Sequence, residues 1–262
     1  MTRAAFSTLG VPGMPLPEVL DLAVRTGYAG LELRCAEDGP VHTGLTSAGR
    51  RAVAAALDGA GVVPLCAASY VRVAAPGPDG PVVDALRAHL DLAADLGAAH
   101  VRVFPGADPA DPDAERRAAA RLTAVAGAAR ARGVAVAVET HDSHRAGRDL
   151  ARLLDGVPGA RALWDVLHGH RAGETPERTH AALADRLAYV QVKDADPAGT
   201  PVALGAGTLP LDEVGRVLGA HGYDGWLCWE YEAAWHPGAA PLPALLAAGR
   251  ARMERLLGPS RP

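Results

Sequence analysis

Gly133-Val-Ala-Val-Ala-Val-Glu139-Thr-His141 is the stretch on which the fold of this chain turns. Residues 134–139 alternate Val with Ala and hold no Gly or Pro, which marks a short buried strand. Gly133 closes the segment before it, an Ala- and Arg-rich amphipathic run opened by Asp111 and Pro112 and ending at Arg132. A Gly directly after a helical run is a common helix stop. The stretch therefore reads as helix, stop, strand, and then a polar strand end.

The same unit recurs on both sides. Strand-like runs lie at 4–9, 29–33, 62–68, 100–104, 134–139, 160–164, 187–192 and 226–230. Helical segments fall between them. Pro17 opens 18–26 and Gly27 closes it; Thr46 precedes Ser47–Gly59; Pro81 opens 82–96 and Gly97 closes it. Thr175, Pro176 and Glu177 suit an N-cap, a first helical position and a first turn. Pro210 opens 211–219, and a last helix covers Leu242–Leu257. Eight strand–helix units, roughly 30 residues apart, predict an α/β fold: a single (β/α)8 TIM barrel forming one domain over residues 1–262. A doubly wound open sheet would carry a Gly-rich phosphate turn after its first strand. Here strand 1 runs into Leu9-Gly10-Val11-Pro12-Gly13, which lacks that spacing.

Composition narrows the function. Hydrophobic residues make up 49% of the 262, enough for a sizeable core. Net charge is −4, so no basic excess exists to hold a nucleic-acid backbone, and none is expected as a partner. No apolar run approaches the roughly 18 residues of a membrane span. No signal peptide is visible at the start, so a cytoplasmic protein without membrane attachment is expected. Cys35, Cys66 and Cys228 are far apart and form no CxxC pair, so buried reduced thiols are expected. Of 26 basic residues, 25 are Arg and one is Lys, at Lys193; Gln191 is the single Gln, and Ile and Asn are absent. Codon bias toward GC explains the drift from Lys to Arg. The Lys that remains marks a place where a planar guanidinium does not serve.

In such a barrel the active site forms at the C-terminal ends of the strands. Strand 5 ends in Glu139, strand 6 in Asp165, strand 7 in Gln191-Val-Lys193, and strand 8 in Glu230. Strand alternation puts Ala135, Ala137 and Glu139 on one face, Leu163 with Asp165, Tyr189 with Gln191 and Lys193, and Cys228 with Glu230. If these faces point inward, three carboxylates and an amide oxygen converge near the barrel axis. Carboxylates that close raise each other's pKa or take up a cation. Oxygen donors suit one divalent metal ion, Mn²⁺ or Mg²⁺ first, with Co²⁺ or Zn²⁺ as further options.

The order and spacing of these pieces resemble the xylose isomerase-like barrel superfamily of sugar-phosphate isomerases and epimerases. The resemblance rests on Gly27-Tyr-Ala-Gly-Leu-Glu32-Leu33, Val101-Arg102-Val-Phe104, Glu139-Thr-His141, Asp165-Val-Leu-His168, Val192-Lys193-Asp194 and Trp229-Glu230-Tyr-Glu232. It covers nearly the whole chain. It implies a divalent metal held by Glu139, Asp165, Gln191 and Glu230, and a substrate-contacting His168. Many relatives carry His where Gln191 stands; hydroxypyruvate isomerase-like and dehydroshikimate dehydratase-like members are similar to this chain in using Gln.

The implied chemistry is proton abstraction beside a metal-bound carbonyl, through an enediolate, on a small polyhydroxylated carbonyl substrate. Glu139, Glu230 and His141 are the candidate bases. Lys193 is the candidate to stabilise a substrate oxygen, and Arg102 to bind an acidic substituent. An isomerase or epimerase of a sugar, cyclitol or hydroxy-keto acid is the leading reading. The alternative is a dehydratase (a lyase) of the dehydroshikimate or inosose type, which begins with the same step. An apurinic endonuclease-like enzyme and a barrel that binds without catalysis rank lower. Glu32 is expected either to line the pocket or to pair with an Arg. His42, His144 and His170 are expected on pocket walls or the surface, and Trp164, Trp229 and Tyr231 against helices. A homodimer is left open.

Overall fold

The computed structural model describes residues 3–257. Residues 1–2 and 258–262, which the single-domain expectation also spans, lie outside the described residues. Strands β1 (Arg3–Ser7), β2 (Gly30–Arg34), β3 (Val63–Arg72), β4 (His100–Phe104), β5 (Ala135–Glu139), β6 (Arg161–Asp165), β7 (Leu187–Val192) and β8 (Trp226–Trp229) close into a parallel barrel in chain order. β8 returns to β1, pairing Ala5 with Cys228. The (β/α)8 barrel expected from the sequence is the observed architecture.

Helices α1 (Leu16–Thr26), α2 (Ser47–Gly59), α3 (Asp79–Leu96), α4 (Ala114–Arg132), α5 (Gly147–Leu153), α6 (Val166–Arg171), α7 (Pro176–Leu183), α8 (Leu211–Ala220) and α9 (Leu242–Leu257) surround it. Gly27, Gly97 and Gly133 end α1, α3 and α4 in the left-handed conformation, as their positions in the sequence imply. Thr46 and Thr175 cap α2 and α7 by accepting backbone N–H bonds.

Several features depart from the sequence reading: the first strand, expected over 4–9, ends at Ser7, and the third, expected over 62–68, runs on to Arg72. Helix α3 starts at Asp79 rather than after Pro81, because a proline in the first turn leaves no helical bond unmade. Asp79 is fixed there by Arg121, which donates to it at 2.7 Å and also donates to the carbonyls of Val73, Ala75 and Gly77. Helix α5 has no local cap. Its first N–H, on Gly147, instead donates to Glu174, 27 residues on and held in turn by the Thr179 hydroxyl. Helix α6 follows β6 without a loop, since Asp165 ends the strand and caps the helix by accepting from Leu167 N at 2.8 Å.

The core has two parts. The larger lies between strands and helices. The smaller fills the barrel axis with Ala5, Leu65, Cys66, Ala137, Leu163, Tyr189 and Cys228. This inner set contains the residues two positions before Glu139, Asp165, Gln191 and Glu230, which share their strand faces, so those faces do point inward. All three cysteines are buried and unpaired. Trp229 is fully buried beside Gly249 of α9, and Trp164 packs near Gly169 of α6. Among the described residues no helix is long and apolar enough to cross a membrane.

Helix packing gives a direct test. A Cβ on Gly215 of α8 would overlap the Leu256 backbone of α9, whereas a Cβ on Gly127 of α4 would meet nothing within 4 Å. We expect Gly215→Ala to lose roughly 1–3 kcal/mol of stability by overpacking. Gly127→Ala should gain up to ~1 kcal/mol from helix propensity. Urea midpoints at unchanged slope measure both.

Candidate active site

The C-terminal ends of β5 to β8 bring the expected residues together. Register pairs Asp165 with Gln191, and each of the four polar residues stands two positions beyond an inner-core residue of its own strand, so the polar layer sits above the apolar one. Glu139, Asp165 and Glu230 each offer an oxygen, all three lying within 4.8 Å of one another. All are buried: Glu139 is 1% exposed, Asp165 0% and Glu230 4%.

Gln191 joins them through a partner that the sequence did not assign. Its Nε2 donates to Glu32 Oε2 at 3.0 Å and to Glu230 Oε1 at 3.2 Å. Both acceptors are carboxylate oxygens, so the amide orientation follows from chemistry. Gln191 Oε1 is then left buried and accepts no hydrogen bond. Glu32, on β2, also accepts from the Tyr189 hydroxyl at 2.5 Å. Tyr189 rises through the inner core, and Glu32 thus fixes two side chains of β7. Burial, then the repulsion of Glu230, pushes the Glu32 pKa up.

Two cations enter the layer. Lys193 Nζ lies 2.7 Å from Asp165 Oδ2 and 2.9 Å from Glu232 Oε1, and pairs with Glu230 Oε2. Burial alone would lower the Lys193 pKa; Asp165, Glu230, Glu232 and Glu139 outweigh it and hold it well above its usual value. Lys193 in turn pulls the Glu232 carboxyl down to about 2, against its burial. Arg102 is 3% exposed, with its Nε 3.4 Å from Glu139 Oε2 and its guanidinium 4.1 Å from the centre of the Phe104 ring. Glu139 has its pKa raised well above normal by burial, which with the Glu230 and Asp165 charges outweighs the Arg102 and Lys193 cations.

His141 and His168 form the rim. Their rings lie 4.3 Å apart, and with Glu139 they make a second set of donors within 4.8 Å of one another. His141 Nδ1 is 2.8 Å from Asp142, whose backbone has φ 45°, a left-handed value that Asp tolerates better than most residues. His168 Nε2 is buried without a hydrogen bond. Burial, with Lys193 and His141 nearby, drives the His168 pKa down to about 2, so its ring is neutral.

The other histidines fall elsewhere. His144 is buried and contacts Ser143 at 2.9 Å and Glu115 of α4 at 3.2 Å; His170 is exposed; His42 is half-buried. Tyr231 is buried and donates to the carbonyls of Pro201 and Ala240. Glu32 and Glu232 are the members of the cluster to which the sequence reading gave no definite role. Asp194, next to Lys193, is a third residue of consequence. Its carboxylate accepts from the N–H groups of Ala195, Gly205, Gly207 and Leu209, folding the loop between β7 and α8 around itself.

The donor set suits a divalent cation. Gln191 Oε1 accepts nothing. Glu139 Oε2 and Asp165 Oδ2 face a cation at 3.4 and 2.7 Å without an aligned hydrogen bond. Buried oxygens are seldom left in that condition. Glu139, Asp165, Gln191 and Glu230 could hold a hard metal; Glu139, His141 and His168 offer a softer, nitrogen-containing set.

The xylose isomerase-like TIM barrel family model matches residues 20–256. A "Putative hydroxypyruvate isomerase" of Streptomyces coelicolor is 30% identical over 229 residues, 76% of this chain and 80% of that protein. Solved structures share the fold. The IolI protein with a bound zinc atom superposes at TM-score 0.82 and 17% identity, covering 96% of this chain and 98% of that one. A D-psicose 3-epimerase in the presence of D-fructose superposes at TM-score 0.82 and 12% identity, covering 98% of this chain and 100% of that one.

The ion pairs yield a stability test. Lys193→Met removes the cation shared by Asp165 and Glu230 and leaves both buried. In chelator the variant should lose roughly 3–5 kcal/mol, the cost of breaking a buried pair from one side. Chemical denaturation measures it, and added Mn²⁺ should recover most of the loss.

Proposed function

The chain belongs to the xylose isomerase-like TIM barrel family, and from that premise we propose that it is a divalent-metal-dependent isomerase or epimerase of a small polyhydroxylated carbonyl compound. One observation carries this reading. Glu139, Asp165 and Glu230, at the ends of three barrel strands, bring carboxylate oxygens within 4.8 Å of one another, and Glu139 Oε2, Asp165 Oδ2 and the neighbouring Gln191 Oε1 are buried without a hydrogen bond. Mn²⁺ and Mg²⁺ fit the oxygen donors best, and Zn²⁺ or Co²⁺ would make more use of His141 and His168. A bound metal supplies Lewis acidity, which polarises a carbonyl and makes the neighbouring C–H more acidic.

The chain's own residues account for the rest. Burial raises the pKa of Glu139, which makes it a stronger base than an ordinary carboxylate, the property wanted in a group that takes and returns a proton. His141 sits beside it, half-exposed at the rim, where a substrate hydroxyl can reach it. His168 is neutral, with its Nε2 buried, so it serves as a hydrogen-bond partner rather than a charge. Lys193 brings a compact ammonium to within reach of an oxygen that gains negative charge. Arg102 lies against Glu139, where it can also meet the carboxylate of a hydroxy-keto acid. The Streptomyces coelicolor relative supports a three-carbon hydroxy-keto acid as the first substrate to try.

The test uses metal-loaded protein in D₂O with hydroxypyruvate, ketopentoses, ketohexoses, cyclitols and dehydroshikimate. Deuterium incorporation without loss of mass is expected, with about one divalent ion per chain. Loss of water would replace the isomerase reading with a dehydratase. Absence of bound metal after loading, with no effect of chelator on turnover, would remove the metal reading. Glu139→Gln should lower kcat by about 10²–10⁴-fold, the usual weight of general acid–base catalysis. Lys193→Arg should fail as well, because a planar guanidinium does not fit between Asp165, Glu230 and Glu232.

A further inference from the structure

At the other end of the barrel, away from the carboxylate cluster, lies a cavity of about 490 Å³. It runs between the C-terminal half of α4 and the first residues of β4, β5 and β6. Its origin is the brevity of α5. At 1.5 Å per residue, the seven residues of α5 span about 10 Å against about 28 Å for the 19 of α4. The chain then returns to β6 through Pro158 and Gly159, which line the opening rather than cover it.

Leu122, Val125 and Val136 make the walls apolar. The ionisable groups on the lining are Arg130, Arg161 and His100, and no carboxylate side chain is among them. Among the described residues neither arginine makes an ion pair, in a chain where most arginines on α4 do. Both are exposed at the mouth. His100 Nδ1 is buried without a hydrogen-bond partner, and burial together with Arg161 holds that ring neutral, with its pKa down to about 4. An apolar body with a cationic mouth, in the volume range of small-molecule pockets, selects an amphipathic anion.

We propose that this cavity is a binding site for an apolar monocarboxylate, an aromatic or branched aliphatic acid. Its body lies along Leu122, Val125 and Val136, and its carboxylate meets Arg130 and Arg161. The site is joined to the barrel axis. The His100 ring lies 5.7 Å from that of Tyr189, whose hydroxyl donates to Glu32, the acceptor that orients Gln191. A ligand here therefore rests against the foot of the stack that carries the candidate metal donors at its top.

Calorimetric titration with 3-phenylpropionate and its neutral amide tests the proposal. The acid should bind at least about tenfold more tightly than the amide, as a charge-assisted pair requires. Arg130→Gln with Arg161→Gln should erase that difference while amide binding persists. Ala126→Trp, which fills the cavity from α4, should abolish binding of both with no fall in melting temperature. Glu139→Gln should bind the acid like the wild type, which separates this site from the metal reading. Equal binding of acid and amide, no binding of either, or undiminished binding to Ala126→Trp would overturn the proposal. So would a change of oligomeric state in Ala126→Trp, which would assign the cavity to a second copy of the chain.

Discussion

Four carboxylates, Glu32, Glu139, Asp165 and Glu230, are buried at one level inside the barrel, against two buried cations there, Lys193 and Arg102. Unpaired charges in such a place cost several kcal/mol each, so the difference of two must be made up. A divalent cation would do so, and Glu32 and Glu139 are the two acids whose pKa values are raised by burial and by their neighbours. Every other polar contact in the layer follows from this. Gln191 gives its two N–H groups to carboxylates, Tyr189 gives its hydroxyl, and Lys193 spans three acids.

The barrel makes this charge cluster tolerable by layering. Small residues at Ala5, Cys66 and Ala137 leave room on the axis for Leu163 and Tyr189, which seal the cluster from below. Above it, Asp194 binds the β7–α8 loop through four backbone N–H groups and so anchors the chain immediately after Lys193. Lys193 is thereby held between a packed layer and a pinned loop, which limits the directions its ammonium can take.

Much of the site was legible before folding. Strand alternation put Glu139, Asp165, Gln191 and Glu230 on the inward faces, and the inner core residues beneath them bear this out. The solitary Lys was conspicuous against 25 Arg, and it lies inside the cluster. Glu32 was not legible in the same way, because its partners Tyr189 and Gln191 are 157 and 159 residues away. Glu232 looked like one more acid in an acid-rich turn until Lys193 met it. Helix α5 was hidden for a like reason, since the carboxylate at its N-terminus belongs to Glu174.

By itself, then, the sequence determined the repeat of strand and helix, the inward face of each strand, and the residue types at the strand ends. Those are consequences of local propensity and of a two-residue period, which act over a few neighbours. Only the tertiary structure decided which acid each cation answers, which way the Gln191 amide turns, and that α5 is too short to cover α4. These depend on barrel closure, which sets residues from opposite ends of the chain side by side. Low dielectric then makes each such meeting strong enough to orient a side chain.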